Sequence, residues 1–324
     1  EVWVLDIEKA SVTKLTNDNV NANMRDVINW FKDGESILVK MLPPDRNPLI
    51  NVSEAVPTGP TISSNNGKKA QNRTYQDLLK NPNDEANFEQ LAKSELYRVG
   101  LDGSKSKWKE TDLYGNISFS PDGNYVMVVT IDRPFSYLVP YYRFPATTAI
   151  YNSDGSLVTT LLEVPLIEDL PKGFMAVRMG MRSISWRADK PASLIYAEAL
   201  DEGDPKNEVA FRDVIFQLDA PFTGQAKELL KTKNRYRYIQ WGNENTAIAY
   251  DYWWNNRNTK TYIFDPSDSS KQPEIISDRN RQDVYSDPGS FVTKRNEYGM
   301  NVLAVDGSKV YLLGDGYTPE GQFP

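Results

Sequence analysis

The chain alternates apolar, β-favouring runs with short polar turns, and residues 117–129 show the pattern most clearly. There, one apolar run ends at Phe119, the triplet Pro121-Asp122-Gly123 follows, and a second run extends from Tyr125 to Val129. Aspartate can hydrogen-bond its own backbone and glycine accepts positive φ, so this triplet is typical of a tight turn. The pattern predicts two antiparallel strands joined as a hairpin.

The same pattern recurs along the chain, each time with an aromatic residue in the first run. The copies lie at 28–39, 184–189, 239–243 and, more weakly, 291–304, and their aromatic residues are Trp30, Trp186, Trp241 and Phe291. Second hairpins follow at 95–104, 149–155 and 261–267. Two consecutive hairpins make one four-stranded blade, so the repeats predict an all-β protein with a β-propeller of four-stranded blades. A β-sandwich with similar hairpins is the alternative.

We expect about five to six blades in one propeller domain that spans residues 1–324. The chain opens with a half-blade, from Val2–Asp6 to Lys14–Thr16, and ends soon after Tyr311–Leu313. The ring is therefore predicted to be incomplete, with cut edges that pair with sequence outside this chain.

Two insertions interrupt the repeat. In residues 43–93, the prolines at 43, 44, 48, 57 and 60 and the polar stretch Ser63–Gly67 predict a loop. Two helices are predicted after it, at Thr74–Lys80 and at Asp84–Lys93, the second capped by Asn83 and carrying lysine in its last turn. The second insertion, 133–145, is rich in aromatic residues and proline. It either packs against a blade or lines a pocket, and packing is favoured because tyrosine and proline fill irregular space well.

The residue types that are present limit the chemistry. Net charge is -7 without long basic runs, so nucleic acid is not an expected partner, and no apolar run is long enough to span a membrane. Histidine and cysteine are both absent, which excludes an ordinary catalytic triad and the usual zinc sites. We expect no cofactor and no metal. The loop Asp201–Asp204 could hold calcium weakly, but a hairpin loop is the favoured interpretation, and a carboxylate-based glycosidase stays possible on composition.

Several segments resemble the propeller of glutamyl endopeptidase-like members of the prolyl oligopeptidase family. They are residues 133–145, 166–171, 181–191, 283–289 and 318–321, and the resemblance runs from about residue 28 to the end of the chain. It implies a two-domain serine peptidase in which the propeller restricts access to an α/β-hydrolase domain that lies beyond residue 324 and carries serine, aspartate and histidine. The propeller alone is then not catalytic.

Cleavage after glutamate requires a cation in the substrate pocket, and a guanidinium can bind a carboxylate through two parallel hydrogen bonds. The arginines in or near the family-like segments are Arg133, Arg143, Arg178 and Arg182, and the neighbouring Tyr141 and Tyr142 are further candidates for substrate binding. Salt bridges between blades are the favoured alternative for each arginine. The pair Asp84-Glu85 superficially resembles the acidic pair with which dipeptidyl peptidase IV-like relatives hold a substrate amino terminus, although charges at a helix start explain it more simply.

The sequence thus predicts a substrate-gating propeller of a serine endopeptidase whose partners are a peptide substrate and its own hydrolase domain. A non-enzymatic propeller that binds a protein partner is the first alternative and a carboxylate-based glycosidase the second. An oligomer is possible. Because cysteine-free proteins occur in several compartments, the location stays open, with a soluble periplasmic or secreted protein slightly favoured.

Overall fold

The structure, a computed structural model, describes residues 1–51, 53–54, 59 and 75–322. Strands dominate it, and the chain forms two compact units, Glu1–Asp169 (unit 1) and Leu170–Pro324 (unit 2). Each unit is built from antiparallel sheets whose strands follow one another in sequence. Part of the predicted proline-rich loop, namely Pro57, Pro60 and Ser63–Gly67, lies outside the described residues.

Unit 1 contains a hairpin and two four-stranded sheets. The hairpin pairs β1 (Trp3–Asp6) with β2 (Ser11–Lys14). Blade 1 has the order β3-β4-β5-β6, and its strands are β3 (Ile28–Trp30), β4 (Ser36–Met41), β5 (Ser94–Gly100) and β6 (Lys105–Asp112). Blade 2 has the order β7-β8-β9-β10, and its strands are β7 (Tyr114–Phe119), β8 (Tyr125–Ile131), β9 (Ala146–Asn152) and β10 (Leu157–Val164).

Unit 2 repeats this architecture twice. Blade 3 consists of β11 (Arg182–Trp186), β12 (Ser193–Ala199), β13 (Asp213–Asp219) and β14 (Lys227–Thr232). Blade 4 consists of β15 (Arg235–Asn243), β16 (Thr246–Tyr252), β17 (Asn258–Phe264) and β18 (Glu274–Asn280). Three short pairs follow, formed by β19 (Ser290–Phe291) with β22 (Leu312–Leu313), β20 (Thr293–Arg295) with β21 (Asn301–Leu303), and β23 (Tyr317–Thr318) with β24 (Gly321–Gln322).

The turn chemistry behind the hairpins is as predicted. In blade 2, Gly123 adopts φ +77° and its amide donates to the Ser120 carbonyl oxygen at 2.8 Å. Asp122 accepts from the Ser120 hydroxyl at 2.6 Å and from the Asn124 amide at 3.0 Å. In blade 1, Gly34 likewise has φ +71°. The aspartate carboxylate and the glycine therefore stabilise the turn through hydrogen bonds within the turn itself, which need no partner in another blade.

Alternate residues of the second strand in a blade pack on opposite faces of the sheet. In β4, Leu38 joins one apolar cluster with blade 2, whereas Ile37 and Val39 join another with the first hairpin. In β16, Ala247 and Ala249 pack against blade 3 residues, whereas Ile248 packs against Phe291 and Leu303. Because successive strand residues point to opposite faces, each of these sheets is covered on both sides. This face-to-face packing of four-stranded meanders confirms the prediction of an all-β propeller.

The four complete blades coincide with the predicted repeats, and hairpins or short pairs lie before and after them. The predicted half-blade at the start is confirmed as β1–β2. The repeat at 291–304 forms only the two-stranded sheet β20–β21 and the neighbouring residues of β19. The described residues therefore contain four complete blades and partial ones, which agrees with the prediction of about five to six blades when the partial ones are counted.

The aromatic residue of the first repeat that packs in the core is Phe31 and not the predicted Trp30. Trp30 is 56% exposed, whereas its neighbour Phe31 is 3% exposed and lies in the cluster between blades 1 and 2. Phe31 meets Phe119 edge to face, with ring centroids 5.0 Å apart. A shift of one residue moves a strand side chain to the other face, which the aromatic pattern alone does not reveal when two aromatic residues are adjacent.

The insertion in blade 1 contains one helix in the described residues, α1 (Pro82–Ala92). Its N-cap is Asn81 and not the predicted Asn83, because the Asn81 side chain accepts from the amides of Asn83 and Asp84 at 2.9 and 3.0 Å. The helix ends at Ala92, so the last turn contains no lysine and Lys93 is the C-cap. The predicted helix over 74–80 is wrong for residues 75–80, which form bends and coil, while Thr74 lies outside the described residues.

Candidate substrate-binding residues

In unit 1, the aromatic segment 133–145 connects β8 to β9 and packs against α1. Phe88 of the helix meets Phe135 and Phe144 edge to face at centroid distances of 5.1 and 5.7 Å. Phe135, Val139 and Phe144 are all buried in the same apolar cluster. The favoured prediction, that this segment packs against a blade, therefore agrees with the positions of these side chains.

Arg133 is held by acidic residues of α1. Its two terminal nitrogens bind the carboxylates of Glu85 and Glu89, although about half of the arginine side chain is exposed. Hydrogen bonding to Glu89, and secondarily to Glu85, raises the pKa of Arg133. Asp84 accepts from the Lys80 amide at 3.0 Å. The acidic residues at the start of α1 thus bind groups of this chain that lie beside the helix. The charge of the Arg133 guanidinium is therefore already compensated by two carboxylates.

Arg143 is buried at 7% exposure, in a short 3₁₀ helix that spans Tyr141–Arg143. Its guanidinium carbon lies 5.3 Å from the centre of the Tyr75 ring, and its carbonyl oxygen accepts from the Ile167 amide at 3.0 Å. A guanidinium over an aromatic face is a stabilising contact. Arg143 therefore has a packing position, and substrate has little access to it.

Tyr141 and Tyr142, the two tyrosines predicted to bind substrate, are accessible, at 42% and 68% exposure. Both line a cavity of about 370 Å³, together with Met24, Arg25 and Phe144. Arg25 is exposed and was not among the predicted residues. Its position before β3 gives no local signal in the sequence, because the cavity forms only when residues 24–25, β7 and the 133–145 segment fold together.

In unit 2, Arg178 and Arg182 belong to a cluster of buried charges. The carboxylates of Asp201 and Asp213 are completely buried, and Arg182 pairs with Asp213. Arg235 is only 4% exposed and contacts both carboxylates, at 2.8 Å to Asp201 and 3.0 Å to Asp213. The cluster is completed by Arg212, which binds Asp201 at 2.8 Å. Since both Asp201 oxygens bind arginine, the loop after β12 uses this residue for ion pairing and not for calcium.

This cluster carries more positive than negative charge. In the described part of the chain, the Arg178 guanidinium donates only to main-chain carbonyl oxygens, those of Met179 and Met181. Burial, followed by the positive charge of Arg182, lowers the pKa of Arg178. Among the described residues, Nε of Arg182 is buried and has no hydrogen-bond partner. A bound carboxylate would relieve the repulsion between Arg178 and Arg182 and satisfy their spare donors.

The structure therefore separates the six predicted residues by role. Arg133 and Arg143 stabilise the insertion in unit 1, Tyr141 and Tyr142 line a cavity in that unit, and Arg178 and Arg182 lie together in unit 2. Asp213, Arg212 and Arg235, which complete the last group, were not predicted from the sequence. A buried strand that begins with a charged residue is the signal that could have identified Asp213 and Arg235, because an isolated buried charge is too costly to occur without a partner.

No protein-family model matches the chain. Two curated plant proteins, each called "probable glutamyl endopeptidase, chloroplastic", match it along its whole length. The Arabidopsis thaliana protein is 38% identical over 340 residues, and the Oryza sativa subsp. japonica protein is 36% identical over 334 residues. The chain spans only 34% and 35% of the length of these proteins. The resemblance to glutamyl endopeptidases is thereby confirmed, and it includes the first residues of the chain as well.

Solved structures show weaker similarity. An uncharacterized protein from Listeria monocytogenes gives a TM-score of 0.45 at 11% identity, over 96% of this chain and 72% of its own length. Acylaminoacyl peptidase from Pyrococcus horikoshii gives 0.42 at 12% identity, over 85% and 34%. A prolyl endopeptidase gives 0.44 at 11% identity, over 85% and 31%. These values are too low to carry an argument about function. Within the described residues, no helix is long and apolar enough to cross a membrane.

Proposed function

We propose that this chain, which is homologous along its entire length to glutamyl endopeptidases, is the substrate-gating propeller of a serine endopeptidase and is not catalytic by itself. The observation that carries the proposal is the 38% identity to a probable glutamyl endopeptidase over 100% of the chain. The blades agree with it, because their antiparallel, hydrogen-bonded strands provide a frame that holds the inserted segments. The partners in this proposal are a peptide substrate and a catalytic domain encoded beyond residue 324.

The composition of the chain supports a division of labour between two domains. A serine nucleophile depends on a neighbouring base, usually histidine, to accept its proton. The 324 residues contain no histidine, so this chain cannot supply that base. The α/β-hydrolase domain expected beyond residue 324 would supply serine, aspartate and histidine together.

We further propose that Arg178, supported by Arg182, binds the acidic side chain of the substrate. Two properties favour this pair over the other candidates. Within the part of the chain that the structure describes, the Arg178 guanidinium makes no ion pair with a carboxylate, and the charge that acts on it is that of another cation, Arg182. By contrast, Arg133 already binds two glutamates. A substrate carboxylate at Arg178 would receive charge-assisted hydrogen bonds in a poorly solvated environment, where such bonds are strongest.

The test compares the 324-residue chain with the full-length protein on two fluorogenic peptides that differ only in glutamate against glutamine. The full-length protein should cleave the glutamate peptide and the chain alone should cleave neither. Cleavage by the chain alone would overturn the division of labour. A full-length protein that cleaves no peptide would favour the non-enzymatic, protein-binding propeller.

Specificity is tested separately with Arg178→Gln in the full-length protein. We expect kcat/KM for the glutamate peptide to fall about tenfold or more, since a hydrogen bond to a charged group contributes about 1.5–3 kcal/mol. The glutamine peptide should be nearly unaffected, and Arg178→Lys should recover part of the activity. Arg133→Gln is the matched control, and an equal selective loss in that variant would place the acidic subsite in unit 1 instead.

The compartment and the oligomeric state belong to the same proposal. The two relatives are named as chloroplastic proteins, whereas a periplasmic or secreted location for this chain stays a prediction that fractionation of the source cells tests. An oligomer stays a prediction as well, and sedimentation equilibrium of the full-length protein tests it.

A further inference from the structure

Blade 4 carries a second cationic pocket that is separate from the Arg178–Arg182 cluster. Its volume is about 450 Å³, and three arginines line it, Arg237, Arg279 and Arg281. The lining also includes hydroxyl groups, among them Ser277 and Ser290. None of these three arginines was a candidate for substrate binding, and the proposed peptidase role does not account for this pocket.

The three arginines lie on one face of blade 4 because of the alternation along β18 and a bulge in β15. Ser277, Arg279 and Arg281 alternate along β18 and the residue after it, so their side chains share a face. In β15, the pairing shifts between Tyr236 and Tyr238, which places the intervening Arg237 in a β-bulge. A bulge re-aims a side chain, and Arg237 thereby lines the same pocket as its neighbour Tyr238.

The positive charge in the pocket is only partly compensated. Asp287 is the one acidic residue in its lining, and it pairs with Arg279 at 2.5 Å. Within the residues that the structure describes, Arg237 and Arg281 make no ion pair, and each lies against Tyr252, with guanidinium carbons 5.6 and 6.0 Å from the ring centre. Two guanidiniums with unused N–H groups therefore remain beside one ring in a protein whose net charge is -7.

We propose that this pocket binds the phosphate group of a small molecule, with Arg237 and Arg281 as its principal ligands. Two uncompensated guanidiniums match a phosphate monoester, which carries about −1.5 to −2 charge at neutral pH, better than they match a single carboxylate. Phosphate also has enough oxygens to accept from two planar guanidinium forks and from the hydroxyls of Ser277 and Ser290. The cavity has the size of ordinary small-molecule sites. The inference is independent of the peptidase function proposed above.

The probes are phenyl phosphate and benzoate, which share a ring and differ in the anion, and inorganic phosphate as a competitor. Titration calorimetry on the 324-residue chain should show phenyl phosphate binding about tenfold or more tightly than benzoate, because of the additional charge-assisted hydrogen bonds. Competition by inorganic phosphate would show that the phosphate group alone is recognised. Failure to compete, or equal binding of benzoate, would overturn the assignment to phosphate.

Variants locate the site. Arg237→Gln and Arg281→Gln should each weaken phenyl phosphate binding about tenfold. Arg281→Lys, which keeps the charge but loses the planar fork, should retain part of the affinity. The control is Arg295→Gln, which changes net charge equally at an exposed arginine whose guanidinium donates to the main-chain oxygen of Gly299. The affinity of this variant should stay within about twofold of the wild type. Unchanged affinity in both pocket variants, with melting temperatures that confirm folding, would refute the proposal.

Discussion

The Nη1 group of Arg235 donates a 3.0 Å hydrogen bond to Oδ1 of Asp213, deep in unit 2, where the carboxylate has no exposure to solvent. The other oxygen of Asp213 accepts from the Tyr236 amide at 2.6 Å. Asp213 begins β13 and Arg235 begins β15, so this pair joins the first residue of a strand in blade 3 to the first residue of blade 4. The arrangement makes Asp213 a structural residue on which several charges depend.

Replacing Asp213 by asparagine should strongly destabilise unit 2. The substitution leaves Arg182 without its carboxylate and Arg235 with Asp201 alone. Removing one partner of a buried ion pair costs about 3–5 kcal/mol. Asp278→Asn is the matched control, because Asp278 is 51% exposed and its pair with Lys260 is a surface ion pair worth about 0–1 kcal/mol. Urea unfolding measures both free energies. Similar losses in the two variants would contradict the structural role of Asp213.

Lys40 should make the stability of unit 1 depend on pH. The side chain is 1% exposed, and its Nζ donates to the carbonyl oxygens of Arg25, Tyr114 and Gly115. Burial lowers the pKa of Lys40 from 10.5 to about 8. Between these two values the folded chain has released a proton that the unfolded chain retains, so this group raises the free energy of unfolding as pH increases.

The comparison of wild type with Lys40→Met isolates that effect. At pH 7, the variant leaves three carbonyl oxygens without a donor, and we expect it to be less stable by about 2–3 kcal/mol. From pH 8 to pH 10.5, the wild type should gain stability relative to the variant, by at most about 3 kcal/mol. Urea unfolding at both pH values gives the difference. A difference that does not change with pH would show that Lys40 has its ordinary pKa.

The cap of α1 gives a prediction with two asparagines that lie two positions apart, Asn81 and Asn83. Asn81→Ala removes the side chain that accepts from two amides of the first turn, and should lower the free energy of unfolding by about 1 kcal/mol. Asn83→Ala removes a side chain inside the helix and should change it by less than about 0.5 kcal/mol. Thermal unfolding measures both changes. If Asn83→Ala lowered the free energy of unfolding more than Asn81→Ala, Asn83 would be the N-cap, as predicted from the sequence.

Gly203 should tolerate substitution much less well than Gly299, although their backbones are alike. Their φ angles are +75° and +74°, so a side chain at either position is strained by about 1 kcal/mol. A Cβ at Gly203 would lie 2.0 Å from the Val177 carbonyl oxygen, whereas none of the neighbouring atoms lies within 4 Å at Gly299. We expect Gly203→Ala to cost about 3 kcal/mol and Gly299→Ala about 1 kcal/mol. Equal melting temperatures for the two variants would contradict the close approach of Val177.

The sequence by itself determined the features that depend on neighbouring residues. Alternating apolar positions and the Asp-Gly turn at 122–123 predicted the hairpins, and the spacing of the hairpins predicted four-stranded blades. Charged and capping residues near position 81 predicted a helix close to its true place. These features depend on backbone propensity and on hydrogen bonds between residues a few positions apart, and the order of residues contains that information.

Only the tertiary structure decided which side chains meet. Phe31 and not Trp30 fills the core, because the side chain of Phe31 lies on the buried face of the blade. A bulge in β15 places Arg237 in its pocket. Arg182 and Arg235 converge on Asp213 because strands far apart in sequence lie side by side. Charge pairing across such distances depends on register, bulges and burial together, which are properties of the packed sheets and not of any one segment.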